Sequence, residues 1–197
     1  NVGKFFNYAN RKFKCKSTNG PLKSADGLLS VDPVCKTELL PSVFTSSYTQ
    51  DNGYIPPLGT STADQNKISS IMFTPTLVKR VISRINGKAK GGPDDIPPVF
   101  FKHCSNELAS PLAFLFNKCM ENNYIPPVWL RAYITPIYKK GVTTDPQNYR
   151  PIALTCTMCK IMETIIKDQL IDFLLLKNLI SKHHHGFTRK RSTTTNL

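Results

Sequence analysis

Apolar residues in this chain change their spacing several times, and each change marks a predicted element. Leu77, Val78, Val81, Ile82 and Ile85 recur at the three-and-four spacing of one helix face, behind Thr74 as a cap and Pro75 at the first helical position, and the stripe stops at Gly87. It predicts an amphipathic helix. A short helix is predicted around Val99 to Cys104. Another is predicted where Ser110 caps, Pro111 takes the first turn, and Leu112, Leu115, Phe116 and Cys119 share a face until Asn122-Asn123. The segment from Tyr124 to Trp129 breaks the helical period, and the spacing then becomes two. Ala132, Ile134, Pro136 and Tyr138 fall on one side of a predicted strand, Tyr133, Thr135 and Ile137 on the other. Pro136 has no N–H for a ladder, which puts this strand at an edge or at a bulge.

Asp145-Pro146 and Gln147-Asn148 supply a turn, and Ile152-Ala153-Leu154 returns as a second strand. The pair forms a hairpin expected to project. A long helix is predicted from about Met158 to Leu176, with Ile161, Ile165, Ile166, Leu170, Phe173 and Leu174 on its apolar face and Asn178 as its stop. Residues 1–70 have a different texture: short apolar pieces separated by Asn19-Gly20, Asp26-Gly27, Asn52-Gly53 and Pro56-Pro57. They read as an extension with a helix or two and a linker. The fold class is therefore α+β, helix-rich, with a basic two-stranded hairpin.

Composition narrows the partners. With 197 residues, 40% of them hydrophobic, the chain can bury a core as one domain or one domain plus an extension. Its 26 Lys and Arg against 13 Asp and Glu give a net charge of +13. Such an excess favours an anionic partner, most commonly nucleic acid, over the alternative that the charge only solvates the surface. No apolar run reaches the roughly 18 residues of a membrane span, the longest being interrupted by Lys167, Asp168 and Asp172. The N-terminus has no signal-peptide core, and the absence of an initial Met reads as a fragment. The 6 cysteines are scattered, as for free thiols in a reducing compartment. Cys156 and Cys159 form a CxxC, but a zinc site with His183, His184 and His185 needs a second ligand pair at tighter spacing. Both cysteines are read as packing at a helix start, and no metal ligand is assigned.

Four blocks, GPDDIPPVFFKHC, IPPVWLRAYITPIYKKG, DPQNYRPIALTCTMCKIMETII and LISKHHHGFTRKRSTTTNL, stand in an order and spacing that resemble the start of the reverse transcriptase domain of non-LTR, LINE-type (jockey-like) retrotransposons. The resemblance covers about residues 75–197. Within residues 1–60, KFFNYANRKFK, GPL and SVFTSSYT resemble more weakly the segment joining endonuclease to polymerase in such elements. The resemblance implies a right-hand polymerase, with residues 1–73 a partly flexible linker or extension and residues 74–197 the N-terminal fingers, ending before the palm. The palm carboxylates that hold two magnesium ions in that family, one block of them Tyr-x-Asp-Asp, have no counterpart here. No catalytic residue is assigned, and this stretch alone is expected to be inactive. Asp94-Asp95, between Gly92-Pro93 and Ile96-Pro97-Pro98, reads as a turn; glycine is usual in the family where Asp95 stands, which implies a backbone role and slight strain.

The same resemblance implies the site residues. Lys139 or Lys140 and Arg150, on the finger hairpin, would meet the triphosphate of the incoming nucleotide; arginine offers a planar fork and lysine a mobile point charge. Phe187, Arg189, Lys190 and Arg191 would touch the template, although Thr188 and Lys190 depart from one common form of that motif. A merely solvated hairpin is the competing reading. The implied partners are an RNA template, a DNA primer and deoxynucleoside triphosphates, with magnesium in the complete enzyme and a location in cytoplasm and nucleus. Two further alternatives share these residues: a non-catalytic nucleic-acid-binding protein derived from a retroelement, and a degenerate remnant.

Overall fold

The computed structural model describes residues 20–24, 26–55, 67–181, 183–186, 192 and 194. In chain order the elements are β1 (Leu22–Lys23), β2 (Leu29–Ser30), α1 (Pro33–Ser46), α2 (Pro75–Arg84), α3 (Pro98–His103), α4 (Ser105–Glu121), β3 (Ala132–Tyr138), β4 (Tyr149–Thr155) and α5 (Thr157–Leu176). Short 3-10 turns cover Pro127–Leu130 and Pro146–Asn148. The sheets are two-stranded, β1 with β2 and β3 with β4, so the fold is α+β and helix-rich as expected. Among the described residues no helix is long and apolar enough to cross a membrane.

Contacts gather the chain into two compact units, one containing residues 20–55 and 134–153, the other residues 67–133 and 154–186. The second is a helical cluster. Thr74 Oγ1 accepts the Leu77 N–H at 3.3 Å and Pro75 opens α2, so the predicted start is the observed one. Val78, Val81 and Ile82 bury the predicted face against a core that includes Phe101, Leu112, Phe116, Trp129, Ile161 and Ile165. Phe116 anchors it, with ring centroids 5.5 Å from Phe73 and 6.0 Å from Trp129. α5 starts at Thr157 and closes with Asn178 in the left-handed region at φ 53, the stop that the sequence marked.

α4 departs from expectation. It starts at Ser105 rather than after Ser110, and Pro111 lies inside it. The helix grows directly out of the turn ending α3, where the Leu108 N–H already reaches the Cys104 carbonyl at 2.9 Å, so Ser110 caps nothing. Burial of Ala109, Leu112, Ala113, Phe116 and Cys119 holds a proline that removes one intrahelical hydrogen bond.

The segment leading into α2 is held without a sheet. Gln169 of α5 accepts the Met72 N–H at 3.0 Å and donates to the Met72 carbonyl at 2.9 Å. Asn117 of α4 does the same for Phe73, at 3.1 and 2.9 Å. Two side-chain amides thus satisfy backbone groups that burial of Phe73 would otherwise leave unpaired.

Candidate nucleic-acid interface

The first unit is built around the end of the β3–β4 hairpin. Tyr149, the first residue of β4, is buried with Leu22, Leu40 and Phe44. Its hydroxyl donates to the Thr143 carbonyl at 2.7 Å, and its ring meets that of Tyr138 edge to face with centroids 5.8 Å apart. Burial, with Tyr138 beside it, holds the Tyr149 phenol above its ordinary pKa. The loop is stiffened from within. The Lys139 N–H bonds the Asn148 carbonyl at 2.8 Å, the Tyr138 hydroxyl donates to the Gly141 carbonyl at 2.6 Å, and Asn148 Nδ2 donates to the Val142 carbonyl at 3.0 Å. Gly141 has φ 96, and a Cβ there would stand 2.7 Å from Asn148 Nδ2. The Lys23 N–H ties β1 to the loop through the Thr144 carbonyl at 2.7 Å. The hairpin end is therefore fixed by packing and by hydrogen bonds rather than bare.

On this support Lys139 and Lys140 follow β3 directly and Arg150 is the second residue of β4, all three exposed. Among the described residues none of their side chains has an ion-pair or hydrogen-bond partner. β4 is longer than the predicted Ile152–Leu154. Alternation is also weaker than expected: on β3 Tyr133, Ile134, Ile137 and Tyr138 are all exposed, because a two-stranded sheet has no layer of its own to bury one face. Phe187, Arg189, Lys190 and Arg191, the expected template contacts, lie outside the described residues.

The carboxylate pair behaves as a turn. The Asp95 N–H reaches the Gly92 carbonyl at 3.0 Å, Asp94 Oδ1 accepts from the Ile96 N–H at 3.4 Å, and Asp95 takes φ 53. A left-handed conformation is what glycine accepts freely and aspartate accepts with slight strain. Cys156 occupies the N-cap position of α5 without a side-chain cap, its thiol donating to the Val128 carbonyl at 3.4 Å, and Cys159 donates to Glu163 at 3.2 Å, so both cysteines do pack at a helix start. Burial, then Glu163, pushes the Cys159 thiol up to about 12. Among the described residues no three His, Cys, Asp or Glu side chains converge as a metal site. A second exposed cationic group escaped the sequence reading: Lys79, Arg80 and Arg84 on α2, with Lys88, Lys90 and Lys102 beyond it. The four-residue spacing of Arg80 and Arg84 was the available signal.

No family model matches the chain. Over 121 residues it is 31% identical to the RNA-directed DNA polymerase from mobile element jockey of Drosophila melanogaster, covering 61% of this chain and 13% of that protein. Over 128 residues it is 27% identical to the probable RNA-directed DNA polymerase from transposon BS of the same organism, covering 63% and 14%. Over 114 residues it is 26% identical to the retrovirus-related Pol polyprotein from type-1 retrotransposable element R1 of Bradysia coprophila, covering 57% and 11%. The chain thus spans well under a fifth of these relatives. The similarity to RNA-directed DNA polymerases of non-LTR retrotransposons, expected from the four blocks, is borne out.

Proposed function

We propose that this stretch is the fingers part of a right-hand reverse transcriptase of a non-LTR retrotransposon, residues 74–197 forming the N-terminal fingers and residues 1–73 the preceding linker, and that its hairpin meets the incoming nucleotide. The observation that carries the reading is the rigid hairpin end bearing Lys139, Lys140 and Arg150, exposed and, among the described residues, without side-chain partners, in a chain of net charge +13. Phosphoryl transfer depends mostly on positioning and on neutralising developing charge. A guanidinium held by a strand and ammonium groups held at a stiff loop supply both to a triphosphate. The partners in this reading are RNA template, DNA primer and deoxynucleoside triphosphates, in cytoplasm and nucleus.

Among the described residues no three His, Cys, Asp or Glu side chains gather as a magnesium site would require. Asp94 and Asp95 lie in a turn, with Asp94 Oδ1 accepting the Ile96 N–H and Asp95 taking φ 53. The stretch is accordingly proposed to position substrate and to be inactive alone. Titrating a deoxynucleoside triphosphate and, separately, a single-stranded RNA into the protein tests this. Arg150→Ala is expected to weaken triphosphate binding and leave RNA binding nearly intact, and Arg150→Lys to restore only part of the loss. Equal loss of both ligands, or a wild type that does not bind triphosphate, overturns the clamp.

A further inference from the structure

α2 buries Val78, Val81 and Ile82 and leaves Thr76, Lys79, Arg80, Ser83 and Arg84 exposed. Arg80 and Arg84 lie one turn apart, about 6 Å along the axis. Further cations follow the helix in sequence and on α3. α3 lies so close to Gly87 that a Cβ there would stand 3.2 Å from Lys102 Cδ and 3.6 Å from Val99 Cα, which brings the Lys102 stem over the residue preceding Lys88. Arg80, Arg84, Lys88 and Lys102 are all exposed, and among the described residues none is in an ion pair. Between Thr74 and Cys104 the acidic residues are Asp94 and Asp95, and Asp94 Oδ2 is buried. Within that stretch of sequence the exposed acidic residue is thus Asp95. Cations without local counterions attract a polyanion, whereas a solvated face usually mixes signs.

We infer that the α2 face bearing Arg80 and Arg84, extended by Lys88 and Lys102, is a second contact for the phosphate backbone of single-stranded nucleic acid, separate from the hairpin. Its geometry stands on the helical unit alone; the choice of nucleic acid among polyanions rests on the reading above. The contact is made mainly through phosphates, because Thr76 to Lys90 carries phosphate donors and no aromatic ring, the exposed ring beside Lys102 on α3 being that of Phe100.

The test is fluorescence anisotropy of a labelled single-stranded RNA across a salt series, with three substitution sets, the first two matched in charge. Arg80→Gln, Arg84→Gln, Lys88→Gln and Lys102→Gln together are expected to reduce the slope of log affinity against log salt by about 0.7 per lost phosphate contact, close to ~3 for four. A control set of Lys118→Gln, Arg131→Gln, Lys167→Gln and Lys177→Gln removes the same charge elsewhere in the helical unit. The proposal is overturned if the control set lowers the slope as much, or if the α2 set leaves it unchanged. The hairpin set, Lys139→Gln, Lys140→Gln and Arg150→Gln, reports on the clamp separately, so either assignment can fail alone. Polyglutamate competing as well as RNA at equal charge would overturn the nucleic-acid assignment while leaving a polyanion face. In the wild type, RNA is expected to protect Lys88 and Lys102 from acetylation more than Lys177; equal protection refutes the site without any variant.

Discussion

A side-chain carbon on Gly92 would stand 2.4 Å from the Cys156 backbone nitrogen. It would also stand 2.4 Å from the Thr155 carbonyl carbon and 2.6 Å from its oxygen. All three obstacles are backbone, at the junction of β4 and α5, and none can rotate away as a side chain would. Gly92→Ala is therefore expected to destabilise the protein by about 1–3 kcal/mol or more, as overpacking does. Gly20→Ala, with no heavy atom within 4 Å of the new carbon, meets no such obstacle. Urea unfolding of both variants checks the contrast.

Tyr149 combines a ring buried on α1 with a hydroxyl bonded to an exposed part of the loop. Removing the two functions should therefore have unequal effects. Tyr149→Phe is expected to cost about 0.5–1 kcal/mol, because the Thr143 carbonyl can turn to water. Tyr149→Ala empties the cluster with Leu22, Leu40 and Phe44 and is expected to cost about 3–5 kcal/mol. Denaturation followed by a probe in residues 20–55 measures both.

Asp32 caps α1 by accepting the Cys35 N–H at 2.9 Å, and that hydrogen bond is the main reason its carboxyl is held below the ordinary carboxylate pKa. The contribution is complete above the unfolded carboxylate value and disappears as pH falls through the lowered folded one. Asp32→Asn keeps a good cap at neutral pH. Thermal melts should show wild type and variant alike near pH 7, with a shallower acid limb for Asp32→Asn.

At the other end of the scale, burial and then Glu163 push the Cys159 thiol from its ordinary, unfolded value of 9.0 up to about 12. Stability associated with its protonated form is complete below the unfolded value and is lost as pH rises through the folded one. Cys159→Ala should flatten the decline of stability between those limits, as measured by urea unfolding at successive pH values. Burial also raises the Cys119 and Cys156 thiols. Iodoacetamide at neutral pH should therefore label exposed Cys35 before these three.

Helix α2 was legible almost to the residue, because a Thr-Pro start and a three-and-four stripe describe the same local event. Pro111 misled the reading of α4: Ser-Pro looks like a start, and only the α3 turn upstream and the buried face show that the helix is already running. Lys139, Lys140 and Arg150 could be named from the resemblance. What holds them could not, since Tyr149 meets Leu22, Leu40 and Phe44 across more than a hundred residues of chain. The α2 cations were hidden in plain view, because nothing in a sequence says that Lys102 lies over Gly87.

Asn117 and Gln169 grip Met72 and Phe73 solely by main-chain atoms that every residue except proline carries in full. The grip consequently reads direction and not identity. At position 72, whose side chain is largely exposed, replacement by any residue but proline leaves both bonds to Gln169 intact, whereas Gln169→Glu, unable to donate, gives up the bond to the carbonyl. The entrance to the helical unit therefore works as a keyway cut for the peptide bond itself.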